Sequence, residues 1–280
     1  NGEAGGWTLN QLNSMGIKSK PVPIGLYHTH KVNKEGEIIR RKTRAALQGN
    51  PGNMQKEIHF NETFASTPGE DSERFLTCLT VALDLKRKTG DVEKAYCWAS
   101  LPPGELIAVR YPDVYKRFNQ AGEELYMIMR WNLYGHPAAG RSWEMERNSK
   151  LLTHFNTNNW KCKRLFMDPY MFQFTSPEGK YAWAIIHTDD IDAAGQGDTI
   201  LTQIFEISNR IWSIKETDSE YMLGISRKLV YKEGKVHSIE CTMTPYVQGA
   251  VEAFKQYIIH SALSVPFPQN IRISRIDVPT

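Results

Sequence analysis

At 280 residues and 41% hydrophobic content, the chain is long enough to bury a sizeable core in one large domain or two to three subdomains, which excludes a small stapled scaffold. No run approaches the roughly 20 apolar residues of a membrane-spanning helix, so no membrane partner is expected. The formal net charge of +3 permits a polyanionic partner without demanding one.

The four cysteines, Cys78, Cys97, Cys162 and Cys241, are scattered without a Cys-x-x-Cys pair, and read as reduced, buried thiols of an intracellular protein. No charged-then-apolar leader opens the chain, and a start at Asn1 reads as a segment of a longer polypeptide. Residues 1–25 read as a loosely structured lead-in with Trp7, Leu9 and Leu12 as its apolar anchors. Leu26 to Val32 and Glu37 to Leu47 alternate like strands about a turn at Asn33-Lys34-Glu35-Gly36, predicting a β-hairpin. Alternation puts Arg40, Lys42 and Arg44 on one face, where they could grip phosphates or simply protect a solvated edge.

After a loop-rich stretch to Pro68, Asp71-Ser72-Glu73 opens a predicted amphipathic helix with Phe75, Leu76, Leu79, Ala82 and Leu83 at helical spacing, ending near Lys86-Arg87-Lys88. Leu106 to Pro112 and Leu125 to Met129 read as strands, and a helix is expected from about Arg141 to His154, its apolar stripe interrupted by Arg147-Asn148-Ser149. Arg164 to Met167 and Tyr170 to Phe174 look like strand. Asp198-Thr199 could cap a helix with Ile200, Leu201, Ile204, Phe205, Ile207 and Ile211 as its apolar face. A further hairpin flanks Lys232-Glu233-Gly234, a helix opened by Thr-Pro spans about 244–259, and the tail from Pro266 looks unfinished.

The most informative stretch is Ala182 to Asp192. Its apolar run, read as a largely buried strand, ends abruptly in Asp189 and Asp190. Two adjacent acids most often mark a surface turn. Held side by side at a cleft, however, they repel, and a divalent cation with a taste for hard oxygen ligands, Mg²⁺ or Mn²⁺, relieves that repulsion. Asp91 also adjoins a strand-like apolar segment far upstream, and a mixed sheet with helices on one face would bring it to the pair. Three carboxylates from two strands can hold two ions about 3.5–4 Å apart, the clamp used for in-line displacement at phosphorus.

These residues resemble the reverse transcriptase domain of copia-type retrotransposon polyproteins, in order from about Trp7 to Tyr257. The carriers are Lys42 and Arg44 with Gly49 after the first hairpin, Glu62-Thr63-Phe64, Asp91-Val92-Glu93-Lys94-Ala95-Tyr96, Leu133-Tyr134-Gly135 with Arg141 and Trp143, His187-Thr188-Asp189-Asp190, and Met222-Leu223-Gly224. The chain departs from the family pattern at His136 to Ala139, which lacks the usual polar side chain, and at His187, where tyrosine is usual.

The resemblance implies an α+β right-hand polymerase: a palm whose antiparallel sheet is covered by helices, a fingers hairpin and a partial thumb. It places fingers over 1–90 with the lead-in segment, palm over 91–225 with a fingers insert at about 113–150, and the start of a thumb or connection over 226–280. It implies an RNA-directed DNA polymerase, a nucleotidyltransferase that extends a DNA primer on an RNA or DNA template from deoxynucleoside triphosphates with two Mg²⁺ or Mn²⁺ ions, tRNA being one candidate primer. Asp91, Asp189 and Asp190 would be the catalytic metal ligands, with the Val92 carbonyl beside them. Lys42 and Arg44, with Lys94, Ala95 and Tyr96, would bind the nucleotide, Tyr96 lying under the sugar. His187, Met222, Leu223 and Gly224 would support the primer end. The parent polyprotein would carry integrase or ribonuclease H, and the setting would be a cytoplasmic virus-like particle with access to the nucleus. The rival expectations are a degenerate module that binds nucleic acid without reacting, and a metal-dependent phosphohydrolase using the same acids.

Overall fold

The computed structural model describes residues 6–32, 37–102 and 104–255. In chain order these form α1 (Leu9–Ser14), β1 (Val22–Val32), β2 (Ile38–Leu47), α2 (Glu70–Ala82), β3 (Lys86–Val92), β4 (Ile107–Arg110), β5 (Arg117–Phe118), β6 (Glu124–Met129), α3 (Ala139–Thr157) and β7 (Lys161–Arg164). There follow β8 (Met171–Thr175), β9 (Tyr181–His187), β10 (Asp190–Gly195), α4 (Asp198–Asn209), β11 (Ile214–Thr217), β12 (Tyr221–Met222), β13 (Ile225–Lys232), β14 (Lys235–Thr242) and α5 (Thr244–Phe254). The protein is therefore mixed α+β, as its pattern of elements implies. None of the described helices is long and apolar enough to cross a membrane.

The described residues form three sheets, in the orders β2-β1-β4-β6-β5, β11-β3-β10-β9-β8-β7 and β12-β13-β14. The six-stranded sheet is antiparallel throughout and reaches back to Lys86. Alternation divides its side chains. Val92, Ala184, Ile186, Ile191 and Ala193 turn to one face and pack with Trp143, Leu151 and Phe155 of α3 and Ile200, Leu201, Ile204 and Phe205 of α4. The other face carries Met171, Ile185 and Ala194 against Leu76 of α2 and the adjoining Leu85. Burying both faces explains why β9 reads as a nearly continuous apolar run.

Several expected boundaries move. Residues 86–88 begin β3 rather than ending α2. The helix stops at Ala82 because Asp84 turns left-handed at φ 50°, and β3 then pairs with β10 and, from Thr89, with β11; Arg87 meets Asp192, Lys88 meets Glu216 and Lys86 the Tyr231 ring. The lead-in is anchored: Thr8 and Gln11 form a reciprocal capping box for α1, Trp7 pairs with Tyr126, and β1 already starts at Val22. Phe166 and Met167 are not strand. They lie in the bend between β7 and β8, 100% and 92% exposed.

Arg147 and Asn148, which interrupt the apolar stripe of α3 in the sequence, lie on its buried side. Both are buried, Arg147 over the Tyr170 ring. Gly197, at φ 100°, takes the N-cap position of α4, leaving Asp198 in the first turn. Of the four free cysteines only Cys162 is buried, and Cys78 and Cys241 are exposed. The turn at 33–36, the last residues of the expected 244–259 helix and the tail lie outside the described residues.

Candidate functional site: an acidic corner of the six-stranded sheet

The site begins with a two-residue turn. β9 ends at His187, Thr188 and Asp189 form the turn, and β10 starts at Asp190 directly opposite His187. Thr188 sits at φ 55°, a left-handed conformation that lets so short a loop reverse the chain. The turn is fastened from below: Trp143 of α3 donates its indole N–H to the Thr188 carbonyl at 2.7 Å, and Val92 N–H donates to the Asp189 carbonyl at 2.7 Å.

The register of β10 on β3 places Asp190 opposite Asp91. Directly opposed residues of an antiparallel pair stand about 5 Å apart at Cα and project from the same face. Continuing across the sheet, Lys215 of β11 is opposite Asp91, so Lys215, Asp91, Asp190 and His187 form one cross-strand row. Val92 points the other way, into the core. Gly90, beside Asp91, is required by close packing: a Cβ there would come within 2.6 Å of the Phe205 ring of α4.

Electrostatically the corner is strained. Burial raises the Asp190 carboxyl to about 6, with repulsion from Asp189 and Asp91 adding to it. Asp91 is also raised, by burial first and then by Asp189 and Glu93, against the opposing pull of Lys42 and Lys215. Tyr96 is raised by burial and then by Asp189, and its ring meets that of Tyr134 edge-on at 5.5 Å. Burial lowers His187, while Asp189 acts to raise it. Among the described residues no three His, Cys, Asp or Glu side chains are already closed into a metal-holding group. Three like charges have reason to stand apart until a cation is between them. The donor set of hard carboxylate oxygens on neighbouring strands fits Mg²⁺ or Mn²⁺.

The β1–β2 ribbon overlooks this corner. Thr29 is opposite Lys42 and Tyr27 opposite Arg44, so Lys42 and Arg44 share a face, and it is Lys42 whose charge reaches Asp91. Arg44 acts likewise on Tyr134. The ribbon is fixed to the Tyr134 loop where Leu47 N–H donates to the Tyr134 carbonyl at 2.7 Å. A Cβ on Gly135, itself at φ 83°, would come within 2.1 Å of the Leu47 carbonyl oxygen. His136 is buried, 4% exposed, and faces the Phe60 ring.

The expected residues thus fall into two sets. Asp91, Asp189, Asp190, His187, Tyr96 and Lys42 meet at one corner. Lys94, at φ 58°, precedes the 3-10 turn Ala95–Trp98, in which Ala95 is buried. Met222 ends β12 of the separate three-stranded sheet and Leu223 and Gly224 form its turn into β13, with Met222 buried and Leu223 exposed. Sequence reading missed Lys215 because the short β11 carries no strand pattern. It also missed the buried cluster of Glu73, Arg87, Asp192 and Arg227, four charges scattered over 155 positions of chain. A scan against protein-family models and a comparison with curated proteins both return no match.

Proposed function

We propose that the chain is the reverse transcriptase segment of a copia-type retrotransposon polyprotein, with the six-stranded sheet as palm, the β1–β2 ribbon as fingers and β13 to α5 as the start of a thumb. The observation that carries this reading is the opposition of Asp91 and Asp190 across β3 and β10, with Asp189 at the adjoining turn and Lys42 above. In this reading two Mg²⁺ or Mn²⁺ ions, when bound, lower the pKa of the primer 3′-hydroxyl and offset charge on the phosphate oxygens.

The residues of the chain supply the rest. Asp91, Asp189 and Asp190 furnish the anionic ligands, and Lys215 helps keep Asp91 ionised. Lys42 and Arg44 hold the triphosphate of the incoming nucleotide, Lys94 and Ala95 set its floor, and Tyr96 lies beneath the sugar, where a 2′-hydroxyl would collide. His187 and the Met222-Leu223-Gly224 corner support the primer end. The primer 3′-hydroxyl releases its proton to solvent, its oxygen bonds to the α-phosphorus as the bond from that phosphorus to the α–β bridging oxygen breaks, and pyrophosphate leaves. Template and primer are RNA or DNA and DNA respectively, and integrase or ribonuclease H would accompany the domain in its parent chain.

A second reading, a module that binds primer-template without reacting, is favoured by one observation. His136 is buried, and Ala138 and Ala139, also buried, bring no polar group to the nucleotide. Primer extension on an RNA template with Mg²⁺ separates the two. The parent should extend, and Asp189→Asn should lose on the order of 10³-fold in rate while staying folded. No extension by either, with duplex still bound, leaves the binding module. Product formation independent of template sequence would point to a phosphohydrolase instead.

A further inference from the structure

The three-stranded sheet β12-β13-β14 is attached to the rest of the chain in an unusual way. Of the sixteen residues in β13 and β14, only Arg227 and Val236 are buried. Among the described residues, no cluster of buried apolar side chains joins this hairpin to the larger sheets. Val236 sits over the end of α2, where its N–H donates to the Asp84 carboxylate at 2.8 Å, and Lys86 lies over the Tyr231 ring at 5.4 Å. A further tie is a buried guanidinium. Arg227 donates to Asp192 of β10 and, at 2.8 Å, to Glu73 of α2. Asp192, 0% exposed, also receives Arg87 of β3, which stands 3.5 Å from Glu73.

Asp192 leaves the sheet from the same face as Asp190, two residues along one strand, and Arg87 leaves the same face as Asp91. One charge cluster therefore ties together the two strands that carry the acidic corner, the helix α2, and the strand that follows Met222-Leu223-Gly224. It is not an optimised source of stability. Among the described residues, buried Asp192 Oδ1 and Arg227 Nε and Nη2 find no hydrogen-bond partner, and an apolar contact of the same volume would be the more stabilising choice. What forked, charged groups supply and apolar ones do not is a fixed direction.

We propose that Arg227, with Asp192, Arg87 and Glu73, is a positioning unit: it docks the β12–β14 sheet on the six-stranded sheet in a set orientation, holding the Met222–Gly224 corner in line with Asp91 and Asp190. Its functional part rests on the polymerase reading. The docking itself does not.

Docking and chemistry are read separately, in the full chain, by comparing Arg227→Met and the milder Arg227→Lys with the parent. Native-state hydrogen exchange should show β13 and β14 amides opening about tenfold faster or more in Arg227→Met, those of β9 and β10 unchanged, and Arg227→Lys between the two. Mn²⁺ affinity by calorimetry should stay within about twofold, because the acids keep their own strands, while the Kd for a labelled DNA primer on an RNA template rises about tenfold. Unchanged exchange in β13 and β14, or equal acceleration in β9 and β10, overturns the docking. Loss of Mn²⁺ affinity in step with primer-template affinity overturns the positioning. Should Arg227→Met fail to fold, Arg227→Lys carries the same comparison. A parent that binds neither Mn²⁺ nor primer-template defeats the functional reading alone, and the exchange pattern still decides the docking.

Discussion

Asp190 and Asp192 stand two residues apart on β10, on the same face, in opposite electrical surroundings. Asp192 is wholly buried and receives two arginines. Asp190 is half-buried, is faced by Asp91 across the ladder and Asp189 beside it, and has no cation among the groups that set its acidity. The fold can bring arginine to this face and does so one ladder step away. Charge left uncompensated at 190 is thus a property of that position, and its chemistry suits a cation brought from outside.

The contrast is tested most severely by removing the two carboxylates in turn. Asp192→Ala strands two buried guanidinium groups and should cost about 3–5 kcal/mol in urea unfolding. Asp190→Ala should cost far less, because it relieves repulsion instead of creating an unpaired charge. Replacing the whole cluster, with Glu73→Leu, Arg87→Leu, Asp192→Leu and Arg227→Met together, should leave stability near or above that of the parent. A quadruple variant as unstable as Asp192→Ala would mean that the cluster is itself the glue of this face.

How much of this was legible differs between the two carboxylates for the same reason. Asp189 and Asp190 announce themselves because they terminate an apolar strand, and Arg40, Lys42 and Arg44 because they alternate. Asp192 looks like any polar residue until β3 and β13 are placed beside it, since its partners lie 105 and 35 positions away. The start of β3 was illegible: Lys86, Arg87 and Lys88 read as a helix end, and Asp192, Glu216 and the Phe205 and Tyr231 rings, all distant in sequence, supply the partners that make those charges acceptable within a sheet. Phe166 and Met167 misled in the other direction. Their propensity is that of a strand, but the chain bends there and exposes both.

A smaller effect probes how tightly the acidic corner is registered. Gly90 lies on the core face of β3, and a methyl group there would press on Phe205 and Ile214. Gly90→Ala should cost about 1–3 kcal/mol as overpacking. Because β3 has α4 behind it and β10 and β11 beside it, a shift of the strand moves Asp91 relative to Asp190. Mn²⁺ affinity should therefore fall more in Gly90→Ala than in a core variant of equal instability remote from β3, such as Phe174→Leu. Equal loss in both would show that the corner tolerates displacement of its strand.

The smallest and most discriminating effect is one of sign. The Asp190 carboxyl titrates near 6 in the folded chain, against an ordinary 3.8. The folded state then holds this proton more tightly than the unfolded state does, so the associated stability is fully present below about pH 4 and is lost as pH rises through about 6. Taken at face value the shift amounts to about 3 kcal/mol, and because Asp190 is only half-buried, solvent screening reduces this to about 1–2 kcal/mol. Asp190→Asn should accordingly raise the stability of the metal-free protein at pH 7 by that amount and flatten its fall between pH 4 and 6, measured by urea midpoints in EDTA. Saturating Mg²⁺ should stabilise the parent but not the variant, because only the parent gains binding free energy from the ion. A variant less stable than the parent at pH 7 in EDTA would show that Asp190, like Asp192, has its charge satisfied from within.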